Sequence, residues 1–138
     1  MKILADSCAW SLLLRRKSGD ILRGDEHLMI AALTEAIRDG RVAIIGPIRQ
    51  EVLSGIRSTA QFDKLRASLS TFPDESLTTL HFEEAARFFN LCRSHGVECG
   101  STDILICAVA AWKQWTILTS DRALKRCIEL LQSKALLP

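Results

Sequence analysis

Four acidic residues lie at or near the boundaries between predicted secondary-structure elements of this chain. Asp6 and Asp121 each directly follow a short apolar run. Glu51 lies in a predicted helix, and Asp103 lies in the first turn of a long apolar helix. Carboxylates that share a cleft raise one another's pKa, and a divalent cation removes that penalty. Because hard oxygen ligands select Mg²⁺ or Mn²⁺ rather than zinc, the four acids predict such a metal site if the fold brings them together.

The size and composition of the chain are those of a single globular domain. It has 138 residues, of which 48% are hydrophobic and 25% charged, so residues 1–138 are expected to fold around one core. A net charge of +2 is too small to indicate nucleic-acid binding by itself, although a local basic patch is compatible with it. Aromatic residues make up 6% and tyrosine is absent, which argues against platforms that stack single-stranded bases.

The distribution of cysteines and apolar runs predicts a cytoplasmic protein without membrane association. The N-terminal apolar run is interrupted at Asp6, which is not the pattern of a secretory signal, and the apolar run 104–112 is too short to span a bilayer. The five scattered cysteines are then expected to be free, mostly buried thiols in a reducing compartment. Cys92, His95 and Cys99 lie close together in sequence, but without a second ligand pair a buried thiol is favoured over a zinc site.

Apolar periodicity predicts short strands that alternate with helices. The predicted strands cover 2–5, 42–45, 77–80 and 115–118, with 135–137 as a last edge strand or a tail. The predicted helices cover 7–17, 26–39, 47–56, 62–72, 82–94, 103–113 and 121–131. This alternation indicates an α/β sandwich around a mostly parallel sheet, in which ligands bind beyond the carboxyl ends of the strands. Asp6 and Asp121 are therefore expected at one edge of the sheet.

Each acid also has a purely structural explanation. Asp6 and Asp121 are good N-caps for the helices that follow them, and Asp103 suits the positive end of a helix dipole. Glu51 is compatible with a solvated helix face, although it lies between positions that are expected to face inward. The four acids together, at the ends of different elements, are harder to explain by capping alone and favour a functional site.

Four short segments around these acids resemble the motifs of a known family. The chain resembles the PIN-domain nucleases in the order and spacing of their four acidic motifs, over essentially its whole length. The matching segments are Ala5-Asp6-Ser7-Cys8, Pro47-Ile48-Arg49-Gln50-Glu51, Thr102-Asp103-Ile104-Leu105 and Leu118-Thr119-Ser120-Asp121. The small size is similar to that of the VapC type, the ribonuclease toxins of toxin–antitoxin pairs. One departure is Cys8, where the family commonly has serine, whose hydroxyl is a better hydrogen-bond partner than a thiol.

The resemblance implies a fold, a chemistry and a set of partners. It implies a PIN-like three-layer α/β/α sandwich and a Mg²⁺- or Mn²⁺-dependent endoribonuclease that hydrolyses RNA phosphodiesters with one or two metal ions. The implied metal ligands and catalytic groups are Asp6, Glu51, Asp103 and Asp121, with Glu51 binding directly or through water. The implied supporting hydroxyls are those of Ser7, Thr119 and Ser120. A homodimer and a tightly bound antitoxin are the implied protein partners, and the groove between the first helices and the region after Gly46 is the expected docking surface.

Basic residues close to the last acid are candidates for holding an RNA backbone. Arg122, Lys125 and Arg126 share one face of the helix that follows Asp121. Phosphate contacts of this kind give affinity without sequence information. A solvated helix face is an equally good explanation. A second basic group, 15–17, ends the first predicted helix.

Three other protein classes stay open at this point. A receiver domain usually pairs two adjacent acids after its first strand, and here Asp6 stands alone. A haloacid-type phosphatase needs an acid two positions after the first, and Cys8 occupies that position. A non-catalytic PIN-like module that binds RNA or protein is disfavoured by the intact acids but kept open by Cys8. A nuclease assay with and without Mg²⁺ separates these classes.

Overall fold

Short parallel strands and seven helices make up the part of the chain that the structure describes. The structure is a computed structural model that describes residues 1–16 and 19–138. The strands are β1 (Ile3–Ala5), β2 (Val42–Ala43) and β3 (Thr116–Leu118). The helices are α1 (Ser7–Arg15), α2 (Gly24–Arg38), α3 (Gly46–Leu53), α4 (Thr59–Leu69), α5 (Thr79–Ser94), α6 (Ser101–Lys113) and α7 (Arg122–Ser133). The predicted end of the first helix at Lys17 lies outside the described residues.

The strands form one parallel sheet with the order β2-β1-β3. Ile3 pairs with Val42 on one side and with Thr116 on the other, and Ala5 lies opposite Leu118. The backbone N–H of Asp6 then donates to the carbonyl oxygen of Leu118 across 2.9 Å. The carboxyl ends of β1 and β3 therefore meet at one edge of the sheet, as the sequence predicts.

Helices flank this sheet in two groups. One group packs α1 against α2, α3 and α4, and the other packs α6 against α5, α7 and β3. In α6, every residue from 104 to 110 is buried, which explains why its sequence is apolar on all sides. Helix α6 therefore lies in the middle of the second group. The predicted α/β sandwich with a parallel sheet is confirmed.

The predicted strand over 77–80 is wrong. Residues 79 and 80 are the first turn of α5, and Thr78 is its N-cap. The Thr78 side chain and backbone both interact with His81, an arrangement that satisfies the free amides of a helix start. The only pairing of this region with the sheet, among the described residues, is an isolated parallel bridge between Ile44 and Asp74. Helix capping has therefore prevailed over the β-propensity of the threonines.

Smaller differences concern the ends of the chain and of β2. The predicted strand over 42–45 is reduced to Val42–Ala43, because Ile45 already serves as the N-cap of α3. The segment 135–137 forms no strand in the structure, and Leu137 packs into the core instead. Among the described residues, no helix combines the length and the apolarity needed to cross a bilayer.

The expectation that all five cysteines are free thiols is wrong for two of them. Cys99, in the connection between α5 and α6, forms a disulfide with Cys127 of α7, and their Cα atoms lie 6.4 Å apart. Cys8, Cys92 and Cys107 are free. Residues 28 positions apart give no pairing signal in a single sequence, so only the packing of the fold reveals this bond.

Candidate metal centre

Three of the four predicted acids converge at the carboxyl edge of the sheet. Asp6, Asp103 and Asp121 each offer a carboxylate oxygen, and these oxygens all lie within 4.8 Å of one another. Asp6 comes directly after β1, and Asp121 follows β3 as the N-cap of α7. Asp103 lies in the first turn of α6. Two strand ends and one buried helix therefore build the cluster from distant parts of the chain.

Asp6 is the buried member of the cluster, with 3% of its surface exposed. One of its oxygens accepts a hydrogen bond from the backbone N–H of Ser7 at 2.7 Å, and the other accepts one from the Thr119 hydroxyl at 2.9 Å. Burial raises the pKa of Asp6 above its usual range, while the bonds from Thr119 and Ser7 oppose that rise. The carboxylate is held in a fixed orientation beside the other acids.

Thr119 links two acids of the cluster. Its hydroxyl donates to Asp6 and accepts a hydrogen bond from the backbone N–H of Asp121 at 3.0 Å. Asp121 in turn accepts hydrogen bonds from the backbone N–H groups of Ala123 and Leu124 at 2.8 and 3.2 Å. One Asp121 oxygen is thus used in capping α7, and the side chain as a whole is exposed at the rim of the site.

Glu51 lies beside the cluster without being part of it. The sequence suggests that this residue faces inward between buried positions, but the structure exposes it. Its carboxylate accepts a hydrogen bond from the Ser7 hydroxyl at 2.8 Å, which connects α3 to the start of α1. The negative charge of Glu51 is close enough to raise the pKa of both Asp6 and Asp103. Ser7, predicted as a supporting hydroxyl, therefore contacts two of the acids: its hydroxyl donates to Glu51 and its backbone N–H donates to Asp6.

The pKa of Asp103 is raised well above the usual value for an aspartate. Burial, followed by the negative charges of Asp6, Asp121 and Glu51, raises its pKa to about 6. A carboxyl group that resists ionisation because of neighbouring acids is stabilised in its ionised form by a nearby cation. The local charge therefore favours a positively charged ligand at this point.

Cys8 occupies the position between the acids and the segment that follows β3. Its sulfur lies 3.6 Å from an Asp6 carboxylate oxygen and 3.5 Å from the Thr119 hydroxyl. It also accepts a hydrogen bond from the backbone N–H of Ser120 at 3.4 Å. Ser120, predicted as a supporting hydroxyl, thus takes part through its backbone. The Cys8 thiol therefore contacts both the buried acid and the two residues that follow β3.

The basic residues after Asp121 lie at the surface. Arg122, Lys125 and Arg126 are all exposed on α7. None of them belongs to an ion pair within residues 1–16 and 19–138. Their charges are therefore not neutralised by side-chain carboxylates, and they begin directly at the rim of the acid cluster.

The sequence group around Cys92 is assembled differently from a zinc site of Cys92, His95 and Cys99. His95 is exposed, and its ring nitrogen contacts the Leu91 carbonyl oxygen and the Ser94 hydroxyl. The sulfur of Cys127, and not the ring of His95, lies beside the sulfurs of Cys92 and Cys99. The sequence gives no sign of this third cysteine.

An apolar groove of about 570 Å³ borders the acid cluster. Phe82 and Phe89 of α5 and Thr102 of α6 contribute to its lining. None of the four acids lines it, so the polar chemistry of the site is separate from this groove. Periodicity alone could indicate the apolar face of α5 but not this opening beside Asp103.

Comparisons with known proteins give a likeness in structure but not in sequence. No protein-family model matches the chain, and no curated protein matches it. The structure is similar to a chain in the crystal structure of FitAcB from Neisseria gonorrhoeae, with a TM-score of 0.72. The match covers 92% of this chain and 93% of that chain at 18% sequence identity. The fold is PIN-like. This confirms the three-layer PIN-like sandwich expected from the four acidic motifs.

Proposed function

We propose that this chain is a Mg²⁺- or Mn²⁺-dependent endoribonuclease and the toxin component of a toxin–antitoxin pair. The observation that carries the proposal is the convergence of Asp6, Asp103 and Asp121 within 4.8 Å at the sheet edge of a PIN-like fold. The resemblance of the sequence to PIN-domain nucleases of the VapC type supplies the substrate class. Together, these support hydrolysis of RNA phosphodiesters.

The donor set fits a hard divalent cation. All three groups are carboxylates, which are the ligands that Mg²⁺ and Mn²⁺ prefer. Oxygens that share a Mg²⁺ ion lie up to about 4.2 Å apart, because each is bound at about 2.1 Å. The three carboxylate oxygens lie within 4.8 Å of one another, so small side-chain rotations would bring them to a common ion. Burial, followed by the negative charges of the neighbouring acids, raises the pKa of Asp103 to about 6, and a bound cation would favour its ionised form.

The residues around the ligands orient them and limit their motion. Asp6, Asp103 and Asp121 are the proposed direct ligands, and Glu51 is proposed to act through water, because it reaches the site by way of Ser7. Thr119 holds Asp6 and the Asp121 backbone in a fixed relation. When bound, the cation would supply Lewis acidity that activates water for attack and offsets charge on the phosphate. Arg122, Lys125 and Arg126 are proposed to hold the RNA backbone by charge.

RNA cleavage by the purified chain, with Mg²⁺, with Mn²⁺ or with chelator alone, tests this proposal. We expect cleavage with either metal and none with chelator. Asp121→Asn should abolish cleavage, because one ligand loses its charge while asparagine still caps α7. Glu129→Gln is the matched control, since Glu129 is an exposed acid on the same helix and should retain full activity. Equal activity of wild type and Asp121→Asn would remove the site assignment, and RNA binding without cleavage would favour a non-catalytic module.

An antitoxin partner is proposed for the groove beside the first helices. A cavity of about 530 Å³ between α1 and α2 is lined in part by Leu12, Ile21 and Leu22, with Arg15 and Glu26 at its edge. Ile21 is 98% exposed, which is unusual for a large apolar side chain and suits a site of protein contact. We expect the product of an adjacent reading frame to co-purify with the chain and Ile21→Glu to prevent this.

A homodimer is the second proposed assembly. Light scattering should show a homodimer of the chain alone, and a monomer would contradict that part of the proposal.

A further inference from the structure

Three sulfur atoms lie together on the side of α7 that faces the core. Cys99 and Cys127 are bonded, and the free Cys92 of α5 places its sulfur within 4.8 Å of both. Cys92 and Cys127 have no exposed surface, and Cys99 is 8% exposed. The bond joins the connection before α6 to the buried face of α7. We call these three residues the sulfur cluster.

A small surface cavity leads to one member of the sulfur cluster. It has a volume of about 270 Å³ and is lined by Phe89, Arg93, Val97, Glu98 and Cys99. Neither Cys92 nor Cys127 lines it. Arg93 and Glu98 are exposed side chains of opposite charge, and neither joins an ion pair within the described parts of the chain. The cavity therefore has one positive and one negative residue in its lining, together with the disulfide-bonded Cys99.

We propose that the Cys99–Cys127 disulfide is a reversible redox site, reached through this cavity by a small zwitterionic thiol, and that its reduction loosens the first turn of α6. Arg93 would pair with a carboxylate of that thiol, and Glu98 would pair with its ammonium group. This inference goes beyond the proposed nuclease function and concerns a different cluster of residues.

The reaction is an ordinary thiol–disulfide exchange. The thiolate of the incoming molecule attacks the Cys99 sulfur, the bond to Cys127 breaks, and Cys127 leaves as a thiolate that takes up a proton. A second molecule of the same thiol then attacks the mixed disulfide, which releases Cys99 as a thiol. In total, two small thiols are oxidised to one disulfide and the protein disulfide is reduced to two thiols. The Glu98 carbonyl oxygen lies 3.7 Å from the Cys127 sulfur and can accept a hydrogen bond from the new thiol.

Cys92 is a weak internal nucleophile for this exchange. Burial raises the pKa of its thiol, and the thiolate is the form that attacks a disulfide. Attack by Cys92 would in any case only move the bond among the three sulfurs of the cluster. An external thiol is therefore needed to change the redox state.

The position of the bond explains why its state matters for α6. The helix begins two residues after Cys99, and its N-cap is Gly100, which provides no side-chain hydrogen bond to the free amides of the first turn. The disulfide is thus a covalent restraint next to a weakly capped helix start. Asp103 lies in that turn, and Asp121 and Cys127 both lie on or next to α7.

Reduction kinetics of the native protein test the route of entry. The native protein is incubated with glutathione or with 2-mercaptoethanol at equal thiolate concentration. Its free thiols are then counted by mass spectrometry after alkylation in denaturant, which exposes the buried cysteines. We expect three alkylated cysteines before reduction and five after it. Arg93→Gln should slow reduction by glutathione about threefold, the size of one exposed charge interaction, and leave reduction by 2-mercaptoethanol unchanged. Arg87→Gln is the control, since Arg87 is an exposed arginine of the same helix that does not line the cavity, and it should change neither rate.

Amide hydrogen exchange tests the effect on α6. We expect faster exchange of the amides of residues 101–104 in the reduced protein than in the oxidised protein, with no change in the first turn of α4, which Ser58 caps. Five alkylated cysteines in the untreated protein, equal glutathione rates for wild type and Arg93→Gln, or unchanged exchange in α6 would each overturn the proposal. These readouts use no metal and no RNA, so a chain without nuclease activity would still give a decisive result.

Discussion

Two clusters of reactive side chains lie on or next to α6 and α7 and differ in charge, exposure and bonding. The acid cluster of Asp6, Asp103 and Asp121 opens to solvent at the sheet edge and gathers like charges. The sulfur cluster lies in the core and carries no charge. Two of its members, Cys99 and Cys127, are joined by a covalent bond, whereas the carboxylates of the acid cluster repel one another.

This difference shows how one scaffold supports two kinds of site. Carboxylates can be brought together only where water or a cation stabilises their charge, so that cluster forms where strands end and helices begin. Neutral sulfurs pack in the interior like other apolar groups. The comparison predicts that the acid cluster needs an external cation and that the sulfur cluster responds to external thiols.

The largest effect is expected from removing the buried charge of the acid cluster. Asp6→Asn should lower the rate of metal-dependent RNA cleavage by about a hundredfold or more, because one ligand loses its charge at the centre of the site. The fold should be preserved, since asparagine caps α1 as well as aspartate does. Cleavage rates and thermal unfolding of the variant measure the two effects. A variant that cleaves RNA at the wild-type rate would show that the acid cluster is structural.

The next largest effect is expected from opening the disulfide of the sulfur cluster. Reduction should lower the free energy of unfolding by about 3 kcal/mol, because a bond between residues 28 apart restricts the unfolded chain. Urea unfolding with and without dithiothreitol measures the difference. Cys99→Ser is the control, because its stability should be low and should not change with reductant. A wild-type protein that is insensitive to reductant would remove the contrast between the clusters.

A smaller effect is expected from the hydroxyl that joins two of the acids. Thr119→Val should weaken Mn²⁺ binding about tenfold, the usual cost of losing a group that orients a metal ligand. Thr116→Val is the matched control in the strand just before Thr119, because the Thr116 hydroxyl donates to the Met1 sulfur and not to an acid of the cluster. Titration calorimetry with Mn²⁺ compares the variants. Equal weakening by both substitutions would show that the effect comes from β3 as a whole.

The smallest effect is expected from Asp103 in the absence of metal. The folded protein raises the pKa of this group from near 3.8 to about 6, so ionisation destabilises the fold. This cost is absent below pH 4, develops as the pH rises to 6 and is complete above it. Asp103→Asn should therefore make the metal-free protein more stable at pH 7.5 by about 1 kcal/mol, after allowance for solvent screening.

The pH dependence supplies the control for that substitution. At pH 3.5 the wild type and Asp103→Asn should have the same unfolding free energy, because the wild-type carboxyl is then protonated. Added Mn²⁺ should stabilise the wild type at pH 7.5 and leave the variant little changed. A variant that is less stable than wild type at both pH values would contradict the repulsion inferred at this site.

The sequence predicts the edge where the acid cluster forms, because the rule for parallel strands needs only the strand ends at 5 and 118 and the acids near them. It does not predict the details that depend on packing. The contact of Glu51 with Ser7 and the double role of Thr119 depend on contacts between distant segments. The helix start at Thr79 depends on the local capping of Thr78 by His81, which competes with the β-propensity of the threonines. Cysteine pairing is also of this kind, since nothing in the local sequence distinguishes Cys127 from Cys107.

The central claim is that Asp6, Asp103 and Asp121 form one cation site. Anomalous diffraction from crystals grown at pH 7.5 and soaked in Mn²⁺ tests it most directly. We predict an anomalous peak between the three carboxylates, about 2 Å from an oxygen of each, and its disappearance in Asp103→Asn crystals. Density maps with no peak at that position, while Mn²⁺ occupies other sites on the same crystals, would contradict the account.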